Sequence, residues 1–99
     1  MKTKDKYILK GKKVIPEYDL FKWAEWFETA KRHVANDFIG KVHVSTVFLG
    51  LNHNFGVGKP ILFETMIFGG KHDQYQERYC TWEEAEEGHK KALELVKSK

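Results

Sequence analysis

The sequence predicts an α+β domain: an antiparallel β-meander with an N-terminal β-hairpin and two helices, in the order ββ-α-βββ-α and packed in two layers. Three observations lead there. Two β-branched and aromatic runs, Val42–Leu51 and Ile61–Phe68, flank a Gly-rich connection, which makes a β-hairpin of the stretch from about Val42 to Gly69. Two segments of helical hydrophobic period stand on either side of this β-rich middle. Helices kept apart from consecutive strands belong to an α+β architecture, whereas a parallel sheet needs strands and helices to alternate.

The elements follow in order. Tyr7-Ile8-Leu9-Lys10 and Lys13-Val14-Ile15 are β-prone runs around a turn at Gly11, and Pro16 closes the hairpin. Asp19 is the N-cap of the first helix, with Tyr18 and Trp23 as a hydrophobic staple. Leu20, Trp23, Ala24, Phe27, Ala30 and Val34 keep a helical period, and Asn36-Asp37 and Gly40 stop it. The main hairpin comes next. After it, Gly69-Gly70-Lys71-His72-Asp73 is a turn, and Tyr75-Gln76-Glu77-Arg78-Tyr79 alternates as a third strand. Thr81-Trp82-Glu83-Glu84 is a capping box that opens the last helix, whose inward stripe is Trp82, Ala85, His89, Ala92, Leu93 and Val96.

Ninety-nine residues with 41% hydrophobic and 14% aromatic content make one folded domain over residues 1–99. Residues 1–6 read as a Lys-rich, flexible end. The net charge of +3 is uneven: residues 1–13 carry six Lys and one Asp, a net of +5, while the remainder is net acidic. A nucleic-acid reader would place its basic face on the fold itself, and the chain has only two Arg, so nucleic acid is not an expected partner. The single Cys80 allows no internal disulfide and no cysteine-based zinc site, in keeping with a cytoplasmic setting. No apolar run reaches the ~20 residues of a membrane span, and no signal-type apolar region follows the charged start, so no membrane association is expected.

The strand from Ile61 to Phe68 is apolar on both faces. Ile61, Phe63 and Ile67 point one way; Leu62, Met66 and Phe68 point the other. The helices can cover one face, and the second needs the N-terminal hairpin or a partner. That predicts a homodimer or a protein-binding face made of Leu62, Glu64, Met66, Phe68 and Arg78. Glu64 is a carboxylate among apolar neighbours, and a hairpin centred near Lys71 sets it opposite Arg78 as a cross-strand ion pair. The alternative is a functional carboxylate working with a His; His43 would be the partner, although a hairpin centred near Phe55 brings His43 closer to Phe68.

The loop His53-Asn54-Phe55-Gly56-Val57-Gly58-Lys59-Pro60 is a second candidate. Gly56 and Gly58 permit close backbone approach, His53, Asn54 and Lys59 offer polar contacts and Phe55 a stacking face, which suits a nucleotide or another small anion. Pro60 stands where a phosphate-binding loop needs Ser or Thr, and a strand follows where that motif needs a helix. No catalytic residue is assigned: Ser45 and Thr46 lie mid-strand without a nucleophile elbow, and Cys80 before a helix reads as a small packing residue. His33, His43, His53, His72 and His89 show no metal-ligand spacing, so no metal or cofactor is expected; His33 and His89 read as helical surface or core-edge groups.

Several strings carry a resemblance. Val44-Ser45-Thr46-Val47-Phe48-Leu49-Gly50-Leu51, His53-Asn54-Phe55-Gly56, Leu62-Phe63-Glu64-Thr65-Met66 to Phe68-Gly69-Gly70, Glu77-Arg78-Tyr79 and Thr81-Trp82-Glu83-Glu84-Ala85 with His89, together with Trp23-Ala24-Glu25-Trp26-Phe27-Glu28-Thr29, resemble a family of small uncharacterised proteins spread across bacteriophage and prophage genomes. The likeness spans nearly all of the chain past Tyr7. It carries over no catalytic residue. It implies a phage-encoded accessory protein in the host cytoplasm; the small size, the second apolar sheet face and the lack of catalytic spacing add the expectation that it acts by binding a host protein such as a defence factor. Nucleotide or small-anion binding at the hairpin tip, and a small hydrolase built on Glu64 and a His, are the alternatives.

Overall fold

The computed structural model describes residues 2–98 and is α+β, as the sequence predicts. A two-stranded hairpin, β1 (Tyr7–Lys10) and β2 (Lys13–Pro16), precedes helix α1 (Leu20–Thr29). Four strands follow: β3 (His33–Ile39), β4 (Val42–Phe48), β5 (Phe63–Phe68) and β6 (Gln76–Tyr79). Helix α2 (Trp82–Lys97) ends the fold. The four strands form an antiparallel sheet in the order β3-β4-β5-β6. Helix α2 packs across all four, while α1 packs against β1.

The sheet therefore has one strand more than the sequence reading gives it. Helix α1 stops at Thr29, with Ala30 as an extended C-cap, and the stretch read as its last turn and stop is β3. The reason is local. Gly40-Lys41 is a two-residue turn closing Ile39 against Val42, and Gly40 has φ +59°. A glycine in the left-handed region at the first of two turn positions reverses a β-hairpin. Gly11-Lys12, between Lys10 and Lys13, does the same in β1-β2, with φ +62°. The two Gly-Lys turns have the same form, and both end strands.

The helix caps are those read from the sequence. The Asp19 carboxylate accepts the Phe21 and Lys22 amides, and the Lys22 bond is the main reason its carboxyl is held below the ordinary Asp value. Thr81 and Glu84 form the capping box of α2. The staple takes another form: Tyr18 is exposed, whereas Trp23 stacks on Phe27 and donates its Nε1–H to the carbonyls of Tyr7 and Gly50. That bond ties α1 to the first hairpin and to the end of β4.

Residues 2–6, read as a flexible end, are paired. Lys2 bridges to Asp19 and Lys6 to Leu51, and the Thr3 amide donates to Tyr18. Backbone bonds to two neighbouring segments hold this stretch in place, with a bend at Lys4-Asp5 where Asp5 has φ +65°.

The core lies between α2 and the sheet. Phe48, Leu62, Phe63 and Ala85 make one cluster, to which Tyr7, Leu9, Val14, Trp26 and Trp82 add from the periphery. Val44, Ile67 and Ala92 make a second, extended by Val42, Tyr75, Leu93 and Val96. The buried face of α2 consists of Ala85, Gly88, His89 and Ala92. Gly88 has a specific reason: a Cβ there would lie 2.0 Å from the Tyr79 hydroxyl and 2.1 Å from its ring. Gly88→Ala is therefore expected to destabilise the fold by ~2 kcal/mol or more through overpacking. Urea unfolding checks it, and an unchanged midpoint would show that α2 is not seated this closely on β6.

Candidate functional site

The pleat divides β5. Phe63, Thr65 and Ile67 are buried beneath α2, and Glu64, Met66 and Phe68 project from the opposite face. Register then builds a row of aromatic rings on that opposite face. Phe38 of β3 pairs with His43 of β4, and His43 with Phe68 of β5. The Phe38 and His43 rings stack with centroids 4.4 Å apart and planes at 6°, and Phe68 lies 5.6 Å from His43 on the other side. Asn36, also on β3, hydrogen-bonds His43 Nε2 and fixes the ring. Phe38 remains 67% exposed and Phe68 40%, because α2 lies on the far side of the sheet and neither α1 nor the first hairpin takes its place here.

Met66, opposite Ser45 and Gln76, continues the row toward the middle of the face. Glu64 stands opposite Arg78, as the hairpin register requires. Arg78 Nε donates to Glu64 Oε2 at 2.9 Å, and Gln76 donates to the same oxygen. The carboxylate is thus paired and tethered at the rim of the face. Glu64, Met66, Phe68 and Arg78 share one surface. Leu62 does not belong to it. It is 2% exposed and sits in the core with Phe48, Phe63 and Ala85, since the chain before Phe63 is folded in under the first hairpin and α1. Asn36 and Phe38 join the site only because β3 is a strand, whereas His43 is brought to Phe68 by the β4–β5 register.

The hairpin tip is a closed loop. Asn52 Oδ1 accepts the amides of Asn54 and Ile61. Asn54 Oδ1 accepts the Gly56 amide, and its Nδ2 donates to the carbonyls of Val57 and Lys59. His53 Nδ1 bonds the Leu51 carbonyl. Asn54 and the Gly56 amide, which would cradle an anion, instead satisfy the loop itself. What the loop presents is apolar: Phe55 is 93% exposed and Val57 fully so. Gly58, at φ +120°, turns the chain back toward Lys59 and Pro60.

A third constellation runs from the half-exposed Asp37 on the edge strand into the core. His89 on α2 bonds Asp37 Oδ2 of β3 through Nε2 at 2.7 Å and Thr46 Oγ1 of β4 through Nδ1 at 2.7 Å. Thr46 Oγ1 lies 2.5 Å from Thr65 Oγ1 of β5. With Nε2–H donating to the Asp37 carboxylate, Nδ1 accepts from Thr46 and Thr46 accepts from Thr65, so every group in the chain is paired. Beyond Thr65 stands the Tyr79 hydroxyl of β6, buried against Gly88 without a hydrogen bond of ordinary geometry. Burial pushes the Tyr79 phenol up, and the facing Thr65 hydroxyl opposes this.

Asp, His and Thr in line resemble a nucleophilic relay. Here Thr46 and Thr65 are fully buried and His89 is 3% exposed, so no substrate reaches the hydroxyls. The chain fastens α2 to three strands. His89 is accordingly a core residue rather than a core-edge group, and His33 opens β3 rather than lying on a helix. Sequence reasoning placed His89 on the inward stripe of α2, but its partners lie 52 and 43 positions away. The register also keeps His43 from Glu64: His43 pairs with Phe68, and Glu64 with Val47. Cys80 is partly buried just before α2, where its amide donates to Glu84. Among the described residues no group of three or more His, Cys, Asp or Glu gathers as a metal site requires.

Thr46→Val leaves His89 Nδ1 and the Thr65 hydroxyl without their partner, and is expected to lower stability by ~1–3 kcal/mol. Arg78→Ala removes the charged partner of the largely buried Glu64 but leaves Gln76 on the carboxylate and opens it to water beside the edge strand, and is expected to lower it by ~1 kcal/mol or less. Equilibrium denaturation of both variants checks the order, and the reverse order would make the rim pair the stronger tie.

Comparison with known proteins leaves this geometry to speak for itself: no protein-family model, no curated protein and no solved structure matches the chain.

Proposed function

We propose that this chain is a small phage-type accessory protein that acts in the host cytoplasm by binding a host protein, such as a defence factor, through the uncovered sheet face. The observation that supports the reading is the row Phe38–His43–Phe68, continued by Met66. Its composition is that of a protein–protein interface core: aromatics and Met at the centre, with charge at the edge. The only charges on the face described above, Glu64 and Arg78, neutralise each other. Stacking and the Asn36 bond hold the rings in place, so little ordering is required when a partner docks. The partner that fits is a protein surface with an apolar centre and polar groups placed to meet Asn36, Gln76 and the Glu64–Arg78 pair.

The test is affinity capture from bacterial lysate with wild-type protein and the Phe38→Ser/Phe68→Ser variant. One partner recovered by the wild type and lost, by about tenfold or more, from the variant is the expected result. Recovery unaffected by the substitutions would move the interface elsewhere. Light scattering after size exclusion tests the competing occupant: a dimer that dissociates in the same variant would give this face to a second copy and overturn the host-protein reading.

A further inference from the structure

The end of the molecule opposite the aromatic row carries a second surface, which the sheet-face reading does not use. Residues 2–6 run between two segments: Thr3 N donates to Tyr18 O and Glu17 N to Lys6 O on one side, and Asn52 N donates to Asp5 O on the other. Lys2, Lys4 and Lys6 are thereby held beside the first turn of α1, with Lys22, and beside the base of the tip loop, with Lys59. Of the seven large hydrophobic residues exposed among the described residues, five belong to these same segments: Tyr18, Phe21, Leu51, Phe55 and Val57. Lys2, Thr3, Lys4 and Tyr18 line a shallow cavity of about 440 Å³. Asp5, Glu17 and Asp19 stand against these five lysines, which leaves the end net basic.

We propose that this end adsorbs to an anionic lipid surface, with Phe55 and Val57 entering the headgroup–acyl boundary and the lysines meeting the lipid phosphates and carboxylates. Exposed apolar side chains beside a basic cluster are the two signals that peripheral membrane binding needs. Adsorption of this kind departs from the sequence expectation of no membrane association, which rested on the lack of a spanning segment and does not bear on a surface contact. The tip loop is already braced by Asn52 and Asn54, so its apolar residues are presented without an ordering step. The choice of lysine separates this surface from a protein contact: interface cores favour Arg and exclude Lys, and this end has five Lys, while the nearby Arg32 is engaged within the fold, stacked on Phe27 and bonded to the Phe48 carbonyl. A nucleic acid would use the charge but would give Val57 and Leu51 nothing to enter.

The test is cosedimentation with vesicles of phosphatidylcholine containing about 30% phosphatidylserine, against phosphatidylcholine alone, at ~50 and ~500 mM salt. Wild-type protein is expected to pellet with the anionic vesicles only, and to be released at high salt. Phe55→Ser/Val57→Ser is expected to weaken binding by about tenfold or more with an unchanged melting temperature, since both side chains are already in solvent. Lys2→Glu/Lys4→Glu weakens it as well, whereas Phe38→Ser/Phe68→Ser binds vesicles like the wild type, which keeps this result separate from that of the sheet face. No pelleting at low salt, vesicle binding insensitive to Phe55→Ser/Val57→Ser, or binding to single-stranded DNA but not to vesicles would each overturn the proposal.

Discussion

Helix α2 can lie close across all four strands because its inward face is made of small residues with one polar exception. Ala85, Gly88 and Ala92 bring the helix backbone near the sheet, and Gly88 leaves room for the Tyr79 ring. His89 would be out of place there if it were not bonded on both nitrogens, to Asp37 and to Thr46. An unpaired imidazole in that position is costly, and a partner on only one side leaves half the penalty. The bonded chain from β3 through α2 to β4 and β5 therefore sets where the helix sits along and across the sheet. Apolar contacts are non-directional and could accept neighbouring positions; a line of hydrogen bonds with fixed partners accepts one.

From that placement the rest of the surface follows. Once α2 occupies the face of Val44, Thr46, Phe63, Thr65 and Ile67, the alternate residues of the same strands have no helix to meet. Helix α1 is held elsewhere by Trp23, which bonds Tyr7 and Gly50 together, and the first hairpin joins the core at the Phe48–Leu62 end. The aromatic row is thus left by the allocation of two helices and a hairpin to one side and one end of a four-stranded sheet. The basic end arises in a related way. Its lysines are adjacent in sequence, but they become a surface because residues 2–6 are bonded between the start of α1 and the base of the tip loop. The two surfaces differ in chemistry, one aromatic with its charge internally paired, the other apolar and net basic.

The main departure between sequence and structure lies in residues 30–39. Ala30 and Val34 continue a helical period from Leu20, and periodicity alone cannot tell whether a helix has ended. The decisive signal was Gly40-Lys41, which matches Gly11-Lys12 in form; taken as a hairpin turn rather than a helix stop, it makes a strand of Val34, Phe38 and Ile39. Losing that strand hid Phe38, one of the three rings of the aromatic row, and the Asp37 end of the hydrogen-bonded chain. The Glu64–Arg78 pairing was readable because the turn at Lys71 fixes the register of a short hairpin by counting. Leu62 was misplaced for the opposite reason: alternation applies within a strand, and Leu62 precedes one.

The sequence by itself determined the α+β class, the position of the main hairpin, the caps at Asp19 and Thr81, the turn chemistry and the uneven charge, because each rests on residues within a few positions of one another. Only the tertiary structure decided which face of the sheet is covered, which of the five histidines is buried, and that the Gly-rich tip closes on its own asparagines and shows its apolar side chains outward. Those outcomes depend on how α2 docks and on contacts between residues dozens of positions apart. Local propensity carries no information about such pairings until the strands are in register.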